Sequence, residues 1–285
     1  MKVEIICPLY NAENYIENLH DNILKQKNVD FSVRYLLTES TDQTESILKS
    51  KKLNYNKIEK NDFSHSLTRE LAARNSKADI IVFISQDVEP SDENWLYYLV
   101  KDIIDGSVSA TYSRQITKFN NLEKYTREKN YPKESKIVSK DDINDLGLKA
   151  FFFSDAASAI KKEVFEQLNY YDNKRLPINE DMYIAHKLIT NGYKIKYCSD
   201  SIIYHSHNFK LKELYNRYKL TGQFFKENSY LDDYGTTDSG IKLATYVFKR
   251  IMQEGRIVLL FRYPFDMGAR FIGMKAGKKW TNKIW

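Results

Sequence analysis

Ile80-Ile81-Val82-Phe83-Ile84-Ser85-Gln86-Asp87 decides the fold. Five apolar residues in a row show no polar alternation, the pattern of a strand buried on both faces of a parallel sheet. Upstream lie two more β-rich runs, Val3-Glu4-Ile5-Ile6-Cys7-Pro8 and Phe31-Ser32-Val33-Arg34-Tyr35-Leu36-Leu37. Helical spacing separates the runs. Tyr15, Ile16, Leu19, Ile23 and Leu24 mark a helix within Asn14 to Lys25. Glu45 to Lys52 and Ser66 to Lys77 are further helices, the latter expected to turn Leu67, Leu71 and Ala72 inward. Such alternation predicts a doubly wound α/β domain with a mostly parallel sheet. Ligands of these sheets bind beyond the carboxyl ends of the strands. That selects the loop after Cys7, the turn after Leu37, and Ser85 to Pro90. Residues 117–146 are polar and are expected to form a long connection or mobile loop. Helical periodicity returns at Lys161–Leu168, Asp181–Thr190 and Leu211–Phe225.

The chain has 285 residues, 42% hydrophobic and 29% charged. That excludes a disordered or collagen-like chain and allows one large domain with an appendage. Cys7 and Cys198 have no metal spacing and no disulfide framework, which points to a reducing compartment. Glu4 interrupts the N-terminus where a secretion signal needs apolar length. The apolar run Ile257–Phe261 lies between Arg256 and Arg262, far short of the roughly 20 residues of a spanning helix. The expected protein is cytoplasmic, soluble or peripheral to a membrane.

Three constellations carry chemistry. Asp87 at the end of the apolar strand suits a divalent cation, Mg²⁺ or Mn²⁺, bridging a diphosphate. It is otherwise a helix cap, a role Ser91 and Asp92 can already fill. Glu180-Asp181 opens a helix, where a carboxylate is either a dipole partner or a general base. Adjacent residues cannot both face one site, so one of the two would be the base. His205 and His207 lie on one face of an extended chain and can bind metal or phosphate, or stand solvated. Arg69, Arg74 and Arg114 lie near the expected ligand edge and suit phosphate.

The order of these features resembles inverting family 2 glycosyltransferases with the GT-A fold, and within them bacterial polysaccharide rhamnosyltransferases. The resemblance rests on Ile5–Glu13, Ser40–Thr44, Thr68–Ala73, Phe83–Asp87, Phe153–Ile160 and Asn179–Asp181. Tyr112–Gln115 and Tyr204–Asn208 point to the rhamnosyl subgroup. It implies a catalytic region over residues 1–225, with a nucleotide-sugar half to about 115 and an acceptor half from about 116. Residues 226–285 would be a basic amphipathic helical tail. It implies that Pro8, Tyr10, Asn11, Glu39, Asp42, Arg69 and Gln86 bind the nucleotide sugar. Asp155 and Arg114 would stand near the acceptor. Asp87, with His205 or His207, would hold the cation. Asp181, beside Glu180, would be the base. Two departures are visible. Leu37-Thr38-Glu39-Ser40 places Thr38 or Glu39 where the family carries a base-reading acid, and the D-x-D motif is reduced to Ser85-Gln86-Asp87. The implied reaction takes rhamnose from dTDP-rhamnose, or a hexose or N-acetylhexosamine from a UDP-sugar, to a glycan or lipid-linked glycan. A non-catalytic nucleotide-sugar-binding protein is the remaining reading.

Charge is segregated. Lys242 to Trp285 hold ten Lys/Arg against two acids, a net +8, whereas the whole chain is +6. A near-neutral body argues against a nucleic-acid partner. Ile241, Ala244, Val247/Phe248 and Ile251/Met252 fall on one helical face, flanked by Lys242, Lys249 and Arg250. Beyond a kink expected at Pro264 come Phe271, Ile272, Met274, Trp280 and Trp285 among Arg270, Lys275, Lys278, Lys279 and Lys283. Basic amphipathic segments of this kind suit an anionic membrane surface. The alternative is a helix packed on the catalytic body with a solvated basic face.

Overall fold

A computed structural model describes residues 1–205, 207–235 and 237–279. The strands are β1 Val3–Leu9, β2 Phe31–Thr38, β3 Tyr55–Ile58, β4 Ile80–Ile84, β5 Glu89–Pro90, β6 Ala110–Ile116, β7 Lys136–Val138, β8 Ala157–Lys161 and β9 Ile195–Tyr204. Among the described residues they form one sheet in the order β3-β2-β1-β4-β8-β6-β9-β5, with β7 also on β9. β1 to β4 pair in parallel, as do β6 and β9, while β8 runs antiparallel between β4 and β6. All five residues of β4 are buried, as the continuous apolar run requires. The fold is the expected mixed α/β arrangement with a mostly parallel sheet.

The early helices are α1 Ile16–Leu24, α2 Thr44–Ser50, α3 His65–Arg74 and α4 Trp95–Ile104. Then follow α5 Leu122–Asn130, α6 Ile143–Leu146, α7 Lys162–Gln167 and α8 Glu180–Thr190. The chain ends its described part with α9 Leu211–Glu227, α10 Thr237–Gln253 and α11 Ile257–Lys279.

Three readings need correction. Residues 117–146 are not a bare connection: they hold α5, β7 and α6. α5 was hidden because only Leu122 and Tyr125 are buried in it. β3 was also missed, since only the flanking Tyr55 and Ile58 of its four residues are partly covered. In α3 the inward face carries Ala72, as expected, and Ala73, but is otherwise polar. Leu71 is 63% exposed, while Ser66, Thr68, Arg69 and Glu70 are buried. Those groups stitch α3 to the segment before α8. The Ser66 hydroxyl donates to the Lys174 carbonyl and accepts the Leu176 N–H, and Glu70 accepts the N–H groups of Tyr171 and Asn173. Pro264, where a kink is expected, lies inside α11, which continues past it.

The C-terminal helices pack on the body. Val247 and Ile251 of α10 are buried against Leu122 and Tyr125 of α5. The rest of the expected apolar face is divided from them: Ile241, Phe248 and Met252 are exposed. α11 backs onto α9 through glycines. A Cβ on Gly273 would meet the Tyr215 carbonyl oxygen at 2.5 Å, and Cβ atoms on Gly222 and Gly277 would meet the Met274 and Lys219 carbonyls. Trp280, Lys283 and Trp285 lie outside the described residues.

Candidate active site

The carboxyl ends of β1 and β2 are laced together. Asn11 adopts a left-handed φ of 46°, a conformation Asn tolerates better than most residues. Its N–H donates to the Ser40 hydroxyl, and its side-chain oxygen accepts the Thr41 N–H. Asp42 accepts the N–H groups of Glu13 and Thr44 and the Thr44 hydroxyl, so it orients the second loop. Gln86 clamps Tyr10: its amide oxygen accepts the Tyr10 N–H at 2.8 Å and its NH₂ donates to the Tyr10 carbonyl at 3.0 Å. That leaves the Tyr10 ring 40% exposed, with the Lys60 ammonium 5.4 Å from its centre. Pro8 lies past the last β1 residue paired to β4. Thr38 is buried, whereas the exposed Glu39 accepts the Lys60 N–H, so Glu39 is the acid this turn presents.

Asp87 leaves β4 into a site shared with β9. His205 Nε2 lies 3.5 Å and His207 Nδ1 3.6 Å from its carboxylate, and the three ligand atoms fall within 4.8 Å of one another. Burial alone would raise the Asp87 carboxyl. The hydrogen bond and charge of His205, and the charge of His207, outweigh it and hold the group at about 2. Burial lowers both imidazoles, His207 to about 4. Buried Gln115 fixes His205: its oxygen sits 2.9 Å from Nδ1, so Nδ1–H donates there; the neutral ring then turns the Nε2 lone pair toward Asp87, and only the protonated ring donates from Nε2 to that carboxylate. Gln115 is itself held by the Arg127 guanidinium and donates to the Ser154 hydroxyl. This donor set fits a divalent cation, because an oriented imidazole with a carboxyl-bonded or amide-bonded second nitrogen is the usual metal-ligand arrangement. A 550 Å³ cavity opens over Asp87, lined also by Asn14, Glu89, Lys118 and Tyr204.

The second acidic centre lies at the start of α8. Asn179 takes a left-handed φ of 59° and swings Glu180 and Asp181 into the first helical turn. Their environments differ. Glu180 is buried and accepts from the Arg69 guanidinium at 3.1 Å, with His65 Nδ1 at 3.8 Å. Asp181 is half-buried and forms no ion pair among the described residues. Burial first, then the charges of Glu180 and Asp155, push its carboxyl well above the usual range. Asp155 is 2% exposed, and both its oxygens are taken, one by the Ser158 hydroxyl and one by the Tyr171 hydroxyl.

The arginines separate. Arg69 is inside, locked to Glu180 and to the His65 carbonyl. Arg74 pairs with Glu70 and stacks 4.3 Å from the Tyr170 ring, away from the site. Arg114 sits where the β6–β9 register slips, with a buried Nε that has no partner. Sequence reading missed Gln115, Arg127, Arg217 and Arg270. Gln115 stood in the Tyr112–Gln115 segment and Arg270 in the basic tail, but no spacing joins the four: their contacts come from β6, α5, α9 and α11 converging beside β9.

Residues 4–168 match the family described as Glycosyl transferase family 2. The chain belongs to that family. It is 31% identical, over 99% of its length and 91% of the relative's, to the O-antigen chain rhamnosyltransferase RfbN of Salmonella typhimurium. It is 31% identical to the O-antigen chain rhamnosyltransferase WbaN of Salmonella anatum, over 98% of this chain and 90% of that one. Among solved structures it resembles the mannosyltransferase PcManGT from Pyrobaculum calidifontis, in complex with GDP-Man and Mn²⁺. The TM-score is 0.64 at 16% identity, covering 97% of this chain and 87% of that one. That likeness bears on the fold, which is GT-A. This family 2 member is a nucleotide-sugar glycosyltransferase of polysaccharide synthesis.

Proposed function

We propose that this glycosyltransferase moves rhamnose from a nucleoside-diphosphate donor to a glycan hydroxyl, inverting the anomeric carbon, with Asp181 as general base. One observation carries the assignment. Of the three carboxylates around α8, Glu180 is locked by Arg69 and Asp155 by two hydroxyls, which leaves Asp181 to take a proton. A raised carboxyl is also the better matched base near neutral pH. Rhamnose as the sugar is supported by the near full-length match to two enzymes named as rhamnosyltransferases.

The roles of the residues follow from their places. Tyr10, Asn11 and Asp42 shape the nucleotide end, with Glu39 at its rim. Gln86 acts on that end through its clamp on Tyr10. Pro8 stiffens the approach. Asp87 and His205, with His207, would hold a divalent cation, which when bound neutralises the charge developing on the departing diphosphate. Imidazole ligands beside one carboxylate suit Mn²⁺ better than Mg²⁺, which prefers oxygen. Arg69 positions Glu180 and holds it out of proton transfer. The division at about residue 225 separates catalytic body from tail in sequence, although α11 returns onto α9.

The acceptor in this reading is a lipid-linked glycan, reached from an anionic membrane surface. No helix among the described residues is long and apolar enough to cross a membrane. α11 nevertheless exposes Val258, Phe261, Phe265 and Ile272, spaced for one face, beside Arg256, Arg262 and Lys275. Each near-surface Lys or Arg adds about 1 kcal/mol on an anionic bilayer. Co-sedimentation should show binding to anionic vesicles that weakens with salt. No pelleting at low salt would remove the membrane from the account.

The donor is tested with the purified chain, a glycan acceptor and a panel of nucleotide sugars. Transfer from dTDP-rhamnose and not from UDP-hexoses or UDP-N-acetylhexosamines is expected. Transfer from a UDP-sugar alone would overturn rhamnose. No transfer and no nucleoside-diphosphate release from any donor would overturn catalysis.

A further inference from the structure

A second, smaller cavity of 160 Å³ lies behind the cation-site candidates. His207 and Phe209 form the wall it shares with the larger cavity over Asp87. Its other boundaries are Arg127 from α5, Arg217 and Tyr218 from α9, and Arg270 from α11. Three guanidiniums and one carboxylate, Glu123, therefore line this cavity. That carboxylate is divided between Arg270 Nη2 at 3.1 Å and Arg127 Nε at 3.6 Å. Arg270 also donates to the Tyr218 hydroxyl, and its Nε is buried without a hydrogen-bond partner among the described residues. The exposed Arg217 forms no ion pair among the described residues and has its guanidinium 5.8 Å from the Phe209 ring centre. Like charges held together in a half-buried cleft repel unless an anion joins them. The volume equals about five waters at roughly 30 Å³ each, room for a phosphate group.

The cavity exists because α11 sits so close to α9. Gly222, Gly273 and Gly277 remove the side chains that would hold the two backbones apart, and Arg270 follows Gly273 by less than one turn toward the N-terminus. The C-terminal helix thus contributes a charged group to the catalytic face.

We propose that Arg127, Arg217 and Arg270 form an anion site for a phosphate or diphosphate group, distinct from the Asp87, His205 and His207 cluster. Planar guanidiniums match phosphate oxygens bidentately, which favours this class of anion over halide. Two sources supply it: the diphosphate leaving the donor, and a phosphate carried by the acceptor next to its reacting sugar. The choice of these two rests on the glycosyltransfer reading above. Anion binding itself does not.

The probe is inorganic pyrophosphate on the full chain in EDTA, which removes any cation contribution. A saturable rise in melting temperature is expected. Arg217→Gln should weaken the apparent affinity at least tenfold, and Arg217→Lys should restore part of it. Arg217 is the cleaner substitution because it lies at the mouth. Arg270→Gln is the second variant, with the melting temperature without pyrophosphate as its folding control. No saturable shift in the wild type, or shifts in both Gln variants that match the wild type's, overturns the site. Steady-state kinetics then separate the sources. A raised donor KM in Arg217→Gln assigns the leaving diphosphate. A raised acceptor KM that disappears with a phosphate-free acceptor assigns the acceptor. If neither KM moves, both sources are wrong and the anion site has no part in transfer. Because the pyrophosphate arm requires no turnover, failure of the glycosyltransfer reading would leave its result standing.

Discussion

Around Asp87 the close neighbours are imidazoles, whereas around Asp181 they are carboxylates. Both aspartates are half-buried, so burial acts on both in the same direction. The neighbours decide the outcome. His205 and His207 bring Asp87 down to about 2, while Glu180 and Asp155 drive Asp181 up. In the proposed reaction the first would share a cation and the second would accept a proton. The difference shows that a carboxylate's task is set by the charges its fold places nearby, not by its residue type.

The comparison breaks most sharply at Asp181. Asp181→Asn should lower kcat by about 10²–10⁴ and leave donor KM near the wild-type value. Near wild-type kcat would move the base to another group, with Glu180 next in line. Gln115 sharpens the other side. Gln115→Leu removes the acceptor for His205 Nδ1–H, so the tautomer is no longer fixed. Mn²⁺ affinity should fall about 10–100-fold, the usual effect of losing such a partner. Calorimetry of Mn²⁺ binding would register it, and an unchanged affinity would mean that His205 is not a ligand.

Protonation gives a third test. With the Asp181 carboxyl raised, it is protonated below that value and cannot act as base. The acid limb of kcat should therefore climb with pH through a midpoint above the ordinary carboxylate value of about 4. A limb at or below 4 would contradict the raised carboxyl.

The smallest effect concerns stability. A carboxyl raised in the native state binds its proton more readily there than in the unfolded chain. Its contribution is present below the unfolded value and is lost as pH rises through the native one. Asp181→Asn escapes that loss. At pH 7 it should melt at or slightly above the wild-type temperature, where 1 kcal/mol corresponds to about 2–4 °C for chains of this size. A clearly lower melting temperature would mean that Asp181 holds the fold together.

Much of this contrast was legible in the sequence, and the reasons differ by residue. Ile80–Ile84 announced a central strand because both faces are covered. A strand ending in Asp87 fixed one centre. The i, i+2 spacing of His205 and His207 brought both imidazoles to it. Glu180-Asp181 was visible as a pair, but nothing local said which member would be locked. That depended on Arg69, and Arg69 faces inward because α3 buries its polar side and leaves Leu71 in solvent. Asp155 looked like a residue open to the acceptor. Its lock is a hydroxyl sixteen positions away on Tyr171, a contact made only when the chain turns back. Gln115, Arg127 and Arg270 were silent for the same reason. Each acts through a partner on another element, and no spacing rule connects α5, β6 and α11. β3 and α5 escaped because edge strands and solvated helices carry little apolar pattern.

The division of labour between the two aspartates is tested most directly by titrating nucleoside diphosphate into Asp87→Ala and Asp181→Asn side by side, with and without Mn²⁺. The account predicts that Asp181→Asn keeps the wild-type, Mn²⁺-dependent affinity and that Asp87→Ala loses the Mn²⁺ dependence. Mn²⁺-dependent binding that survives in Asp87→Ala, or that disappears in Asp181→Asn, would contradict it.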